Sequence, residues 1–146
     1  MPAAYDVVVV GAGAMGSSAA LAIARTGRSV VALEQFQLGH ERGGSHGGTR
    51  IFRLGTEEKE YLDLTERSRR LWRELEGASG EVLLEEIGAV EHGVDRRAVD
   101  QFVAILGSRG TPHQVLAPEA AAERWPGMLF DGPVLFQPGG GRLYAD

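Results

Sequence analysis

The apolar positions fall into blocks whose spacing changes along the chain. Val7-Val8-Val9-Val10, preceded by Asp6 and closed by Gly11, is a short β-branched run. It reads as a strand buried on both faces, as in a parallel sheet. Residues 14–26 are rich in Ala and Leu and stop before Gly27, which predicts a helix with a glycine end. Ser29-Val30-Val31-Ala32-Leu33-Glu34 reads as a second buried strand. Strand, glycine turn, helix and strand in this order predict a right-handed βαβ unit. Periodicity then disappears from 35 to 55, a polar, glycine-rich stretch. Loops of that length inside compact domains are uncommon and usually functional or disordered.

Helical spacing returns over 57–77. Tyr61, Leu64, Ser68, Leu71, Trp72 and Leu75 share one stripe, expected to face the core. Glu66/Arg70 and Arg70/Glu74 form i,i+4 pairs elsewhere on the helix, with Thr56 as N-cap and Gly77 as stop. Residues 81–92 predict one or two strands broken at Gly88. Asp95 caps a further helix whose inward stripe is Val99, Phe102, Val103 and Leu106. A short strand is expected within 111–116. Pro118 then suits the first position of a brief helix that Pro126 ends. Val134-Leu135-Phe136 is the last predicted strand, before Pro138 and Gly139-Gly140-Gly141.

Composition narrows the class. With 43% hydrophobic and 24% charged residues in 146, the chain can bury a core, which argues against disorder. A net charge of −5 argues against a nucleic-acid partner. There is no cysteine, so disulfides, thiolate metal sites and a cysteine nucleophile are excluded within these residues. That composition suits a reducing compartment, and a cytoplasmic location is expected. The apolar stretch 7–24 lacks a basic flank and is interrupted by Gly11, Gly13 and Gly16, unlike a signal peptide; no membrane-spanning run is present. His40, His92 and His113 lack metal-ligand spacing, so no metal site is assigned.

Gly11-Ala12-Gly13-Ala14-Met15-Gly16 fits G-x-G-x-x-G, with a predicted strand before it and a predicted helix after it. Gly11 suits the tight turn, Gly13 close approach of a pyrophosphate, and Gly16 close packing of helix on strand. The helix N-terminus offers unpaired N–H groups to phosphate. Glu34 lies 18 residues beyond Gly16, near the ~20 expected for the acid that accepts ribose hydroxyls. Its charge argues against a 2′-phosphate and hence against NADP. The βαβ unit alone does not choose between FAD and NAD. The loop from His40 to Arg53 favours a flavin, because its small residues beside His, Thr and Arg suit packing against a large, partly anionic ring.

That loop contains Gly44-Ser45-His46-Gly47-Gly48-Thr49-Arg50-Ile51-Phe52-Arg53. It resembles the corresponding segment of monomeric sarcosine oxidase, N-methyltryptophan oxidase and peroxisomal sarcosine/pipecolate oxidases, within the glycine/D-amino-acid oxidase superfamily. The similarity continues through Leu71-Trp72-Arg73-Glu74-Leu75, Gly88-Ala89-Val90, Arg124-Trp125-Pro126-Gly127 and Phe136-Gln137-Pro138. The resemblance implies an enzyme that oxidises the C–N bond of a small secondary amino acid, passes a hydride equivalent to FAD, and reduces O₂ to H₂O₂. It implies that Ser45, His46, Thr49 and Arg50 lie against the isoalloxazine, and that Arg53 binds the substrate carboxylate bidentately. Arg50, Arg53 and Thr49 are thus the expected catalytic residues. Gly11, Gly13, Ala14, Met15, Gly16, Glu34, Gln35 and His40, with Ser45, His46, Thr49 and Arg50, are the expected cofactor contacts.

The implied fold is α/β: a Rossmann-like FAD-binding βαβ unit with flavin loop over 1–56, then helices and strands over 57–146 that begin an α+β substrate domain. Members of this family are more than twice as long, so the chain reads as a truncated N-terminal portion. Without cysteine, FAD attachment within it is non-covalent. A non-catalytic nucleotide-binding remnant and an NAD-dependent dehydrogenase remain alternatives.

Overall fold

A computed structural model describes residues 4–54, 58–93 and 95–145. The chain divides into two compact units, Met1–Gly48 with Ala145–Asp146, and Thr49–Tyr144.

The first unit holds β1 (Val7–Val10), α1 (Ala14–Ala24) and β2 (Val30–Leu33). β1 and β2 pair in parallel with Val7 opposite Val30 and Val10 opposite Leu33, as a βαβ unit requires. Asp6 ties the entrance of both strands together, its carboxylate accepting the Ser29 N–H and hydroxyl at 2.8 and 2.7 Å. α1 ends in a turn closed by Gly27 at φ +83°. The expectation that both faces of these strands are buried is not met. Val10 is 85% exposed and Val8 54%. α1 packs on the face carrying Val9, and the alternate side chains turn away from it.

The second unit holds β3 (Thr49–Phe52), α2 (Lys59–Ser79), β4 (Leu84–Glu85), β5 (Ala89–Glu91), α3 (Arg96–Ser108), β6 (Gln114–Leu116), α4 (Pro118–Arg124), β7 (Val134–Gln137) and β8 (Gly141–Tyr144). Two antiparallel three-stranded sheets result, ordered β3-β8-β4 and β5-β7-β6. Phe52, Leu54, Leu62, Leu84, Phe102, Leu106 and Leu135 form the core beneath them. Asp95 caps α3 as expected, Oδ1 accepting the Ala98 N–H at 2.8 Å, and Val99, Phe102 and Leu106 are buried. Pro118 opens α4.

Several readings of this unit need correction. The structureless stretch ends at residue 48, because 49–52 pair with β8. β7 is followed by β8, a strand hidden behind the glycine triplet. Its glycines serve packing: a Cβ on Gly141 would lie 2.0 Å from the Glu85 carbonyl oxygen, and one on Gly140 2.4 Å from Ala89 Cβ. α2 runs past Gly77 to Gly80, whose φ of +77° ends it. Its inward residues are Leu62 and Trp72, both packed on the core, whereas Tyr61 and Leu64 are more than half exposed. Among the described residues its ion pairs join Arg69 and Arg73 to Glu86, Arg73 to Glu76 and Asp63 to Arg109, rather than running through Arg70. Thr56 lies outside the described residues.

Candidate functional site

The glycine turn requires glycine at Gly11 for its positive φ and at Gly16 for close backbone packing. Gly11 leaves β1 at φ +91°, and its N–H donates to the Leu33 carbonyl at 2.7 Å, carrying the ladder one step beyond the strands. A Cβ on Gly16 would stand 1.9 Å from the Gly11 carbonyl oxygen and 3.4 Å from Val9 Cγ1. The first turn of α1 is therefore pressed onto the end of β1. A Cβ on Gly13 would meet Ser45 Oγ at 3.0 Å. The Ser45 hydroxyl in turn accepts the Ala14 N–H at 3.0 Å. The loop thus returns to the helix N-terminus, where first-turn N–H groups lack i−4 carbonyls.

Glu34 ends β2 beside the same turn. Oε2 accepts the Ala12 N–H at 2.8 Å and Oε1 the Phe36 N–H at 3.2 Å. These donors, Ala12 first, hold its carboxyl below the ordinary glutamate range, with Gln35 N–H and the His40 ring adding to the effect. His40 Nε2 lies 3.3 Å from Glu34 Oε1. The Arg42 N–H donates to His40 Nδ1 at 2.9 Å, so the ring proton of the neutral form belongs on Nε2, facing Glu34. Phe36 meets the His40 ring edge-on at 4.9 Å, and the Arg42 guanidinium lies over Phe36. An ionised carboxylate has about four lone-pair sites. The Ala12 and Phe36 N–H groups take one site on each oxygen, and a sugar hydroxyl would share the second site of each with the His40 ring and the Gln35 N–H.

Gly11, Gly13, Ala14, Gly16, Glu34, His40 and Ser45 are thus brought together in the first unit. Gln35 contributes its backbone N–H to Glu34. Met15 projects from the helix start and is 86% exposed. His46 turns onto its own loop, Nδ1 lying 2.6 Å from the Gly43 carbonyl oxygen.

Thr49, Arg50 and Arg53 belong to the second unit. Arg50 donates to the Thr49 carbonyl at 2.6 Å. Arg53 follows β3 directly, and its NH1 donates to Glu91 Oε2 at 2.7 Å. Sequence reasoning missed Glu91: it lies 38 positions from Arg53 and belongs to no motif. Trp125 packs against Phe130 and Phe136, and Arg124 covers Phe136 at 4.0 Å. Among the described residues, no group of three or more acidic or histidine side chains could hold a metal, and no helix is long and apolar enough to cross a membrane.

The family DAO, described as FAD dependent oxidoreductase, matches residues 6–146. The chain belongs to this family. Monomeric sarcosine oxidase of Bacillus sp. (strain B-0618) is 32% identical over 149 residues, covering 97% of this chain and 38% of that protein. Peroxisomal sarcosine oxidase of Mus musculus is 34% identical, covering 97% of this chain and 37% of that protein. A structure of NikD, an unusual amino acid oxidase essential for nikkomycin biosynthesis, superposes with a TM-score of 0.77 at 29% identity. It covers 97% of this chain and 38% of NikD. The chain therefore spans well under half the length of these relatives, and aligns with the family's FAD-binding α/β fold.

Proposed function

We propose that these residues form the nucleotide-gripping part of an FAD-dependent oxidase acting on a small secondary amino acid of the sarcosine type. The observation that carries the reading is the junction of Glu34, Ala12 and the glycine turn. A carboxylate just past β2 is fixed by an N–H of the turn itself, and that turn is closed at Gly16 by a backbone contact too tight for a Cβ. Such a cradle fits a dinucleotide: N–H groups and a helix N-terminus for the diphosphate, and an acceptor for the neighbouring ribose.

In this reading the first-turn amides of α1 hold the diphosphate, while Glu34, steadied by His40, accepts from the sugar. When bound, the flavin would supply acceptance of a hydride from the carbon beside the amine nitrogen, turning the C–N bond into C=N, and would pass the electron pair to O₂ to give H₂O₂. Arg50 offers a permanent positive charge toward the flavin ring, where negative charge accumulates during turnover. Thr49 and His46 contribute polar contacts to the same ring. Arg53 receives the substrate carboxylate through its planar fork. With no cysteine among the 146 residues, a thioether link to FAD is excluded within them, and we read their hold on FAD as non-covalent. The same composition suits a reducing, cytoplasmic setting.

Reconstitution tests the reading. The polypeptide bearing these residues, at its natural length, should bind FAD, and the yellow chromophore should bleach under anaerobic sarcosine or another N-methyl amino acid. Selective binding of NAD instead of FAD would point to a dehydrogenase. FAD binding without bleaching by any secondary amino acid would remove the oxidase assignment.

A further inference from the structure

Arg53, proposed above as the substrate-carboxylate ligand, already has a carboxylate beside it. Its NH1 donates to Glu91 Oε2 at 2.7 Å, with the arginine side chain half exposed and the glutamate 23% exposed. A pair this accessible contributes little to stability. Its placement is nonetheless built from both sides. Glu91 sits on β5, opposite Leu135 of β7. Arg53 precedes Leu54, which is 2% exposed and whose N–H donates to the side-chain oxygen of Gln137, also on β7, at 3.0 Å. β7 therefore anchors both backbones, and the two side chains meet across anchored positions.

We propose that Glu91 is a positioning and specificity-determining residue: it orients the Arg53 guanidinium and makes the site select zwitterionic amino acids over simple carboxylates. The inference rests on Arg53 being the carboxylate ligand. A guanidinium has five N–H donors in a fixed plane. Glu91 engages NH1, leaving the Nε–NH2 edge as a fork for a second carboxylate. The charge balance sets the preference. Arg53 and Glu91 together are neutral, so a ligand bearing only a carboxylate meets an uncompensated like charge on Glu91. An amino acid whose ammonium accompanies its carboxylate brings its own compensation.

The variants separate charge from position. Glu91→Gln keeps the shape and an oxygen acceptor for Arg53 but removes the charge. In the FAD-loaded polypeptide, calorimetry should show acetate binding tighter by on the order of ten-fold, the size of one screened like-charge repulsion several ångströms away. Sarcosine affinity should change much less, so the preference for zwitterion over acetate falls by a similar factor. Glu91→Ala should raise KM for sarcosine through loss of orientation, and Glu91→Asp should restore the preference for zwitterion that Glu91→Gln loses. Parallel shifts of acetate and sarcosine in Glu91→Gln, or none, overturn the proposal. Arg53→Gln locates a failure. If it abolishes acetate binding while Glu91→Gln changes nothing, only the role of Glu91 falls. If acetate binds Arg53→Gln as well as the native protein, the carboxylate role of Arg53 falls, and the selectivity proposal with it.

Discussion

Two helical glycines in this chain should respond to alanine with opposite signs. In an open helix, Gly→Ala stabilises by about 1 kcal/mol through lower backbone entropy in the unfolded chain. Gly77 lies inside α2, and a Cβ added there would have nothing within 4 Å, so Gly77→Ala should gain roughly that amount. Gly16 lies inside α1, but its Cβ would stand 1.9 Å from the Gly11 carbonyl oxygen and 2.9 Å from the carbonyl carbon. A close carbon–oxygen contact is about 3.3 Å, so the helix start and the turn must separate by more than ~1 Å. The obstacle is backbone, which cannot rotate aside as a side chain can. Overpacking of this kind costs roughly 1–3 kcal/mol, and against a backbone obstacle the upper part of that range outweighs the propensity gain of about 1 kcal/mol. The separation also pulls on the Gly11–Leu33 and Ala12–Glu34 hydrogen bonds, so nucleotide affinity should fall together with stability. Urea unfolding followed by far-ultraviolet circular dichroism compares the two variants, and FAD titration reads the second effect. A Gly16→Ala protein as stabilised as Gly77→Ala, with native FAD affinity, would refute the close-packing argument for the turn.

Other outcomes follow from single contacts. Asp95→Ala should cost about 1 kcal/mol in denaturant unfolding, because the Ala98 N–H loses its acceptor, with Asp95→Asn recovering most of it. Acid should weaken the second unit in a defined window. Arg73, then the Leu84 and Leu83 N–H groups, depress the Glu76 carboxyl from 4.5 to about 2, and Arg69 lowers Glu86. A depressed carboxyl contributes stability above its unfolded value and loses it as pH falls toward the folded one. The stability difference between native protein and Glu76→Gln should therefore be largest above pH 4.5 and shrink toward pH 2; a constant difference across that range would contradict the assignment.

The first unit is legible in the sequence because its information is local. The β-branched run, the three glycines and Glu34 each state a requirement that neighbours in sequence satisfy, and parallel pairing follows. The Asp95 cap and Pro118 are equally local signals. The inward face of α2 is legible only in part, because Trp72 of its apolar stripe packs on the core while Tyr61 and Leu64 do not. The helix turns Leu62, outside that stripe, to the core together with Trp72, with Arg69, Arg73 and Glu76 finding partners on the segment 83–86. No spacing rule shows that polar heads will be met by a later strand. β8 is invisible for a related reason: Gly141-Arg142-Leu143-Tyr144 is a strand because β3 and β4 pair with its two edges. Within the candidate site, Glu34 is readable from its offset to the glycines, whereas its support by His40 and the meeting of Arg53 with Glu91 depend on tertiary placement. The second of these needs β7 as a common anchor, with Gln137 lying 83 positions beyond Leu54.

The central claim is that Glu34 and the glycine turn together grip the adenosine end of FAD. Calorimetric titration of FAD and of ADP into the natural-length polypeptide and its Glu34→Gln variant tests it most directly. Glu34→Gln keeps the size of the side chain while removing the charge and one acceptor oxygen. Both ligands should bind the native protein, and both should weaken by on the order of ten-fold or more in the variant, as expected for losing charged hydrogen bonds to a sugar. Equal affinities of native and variant protein for both ligands, with the fold intact by circular dichroism, would contradict the account.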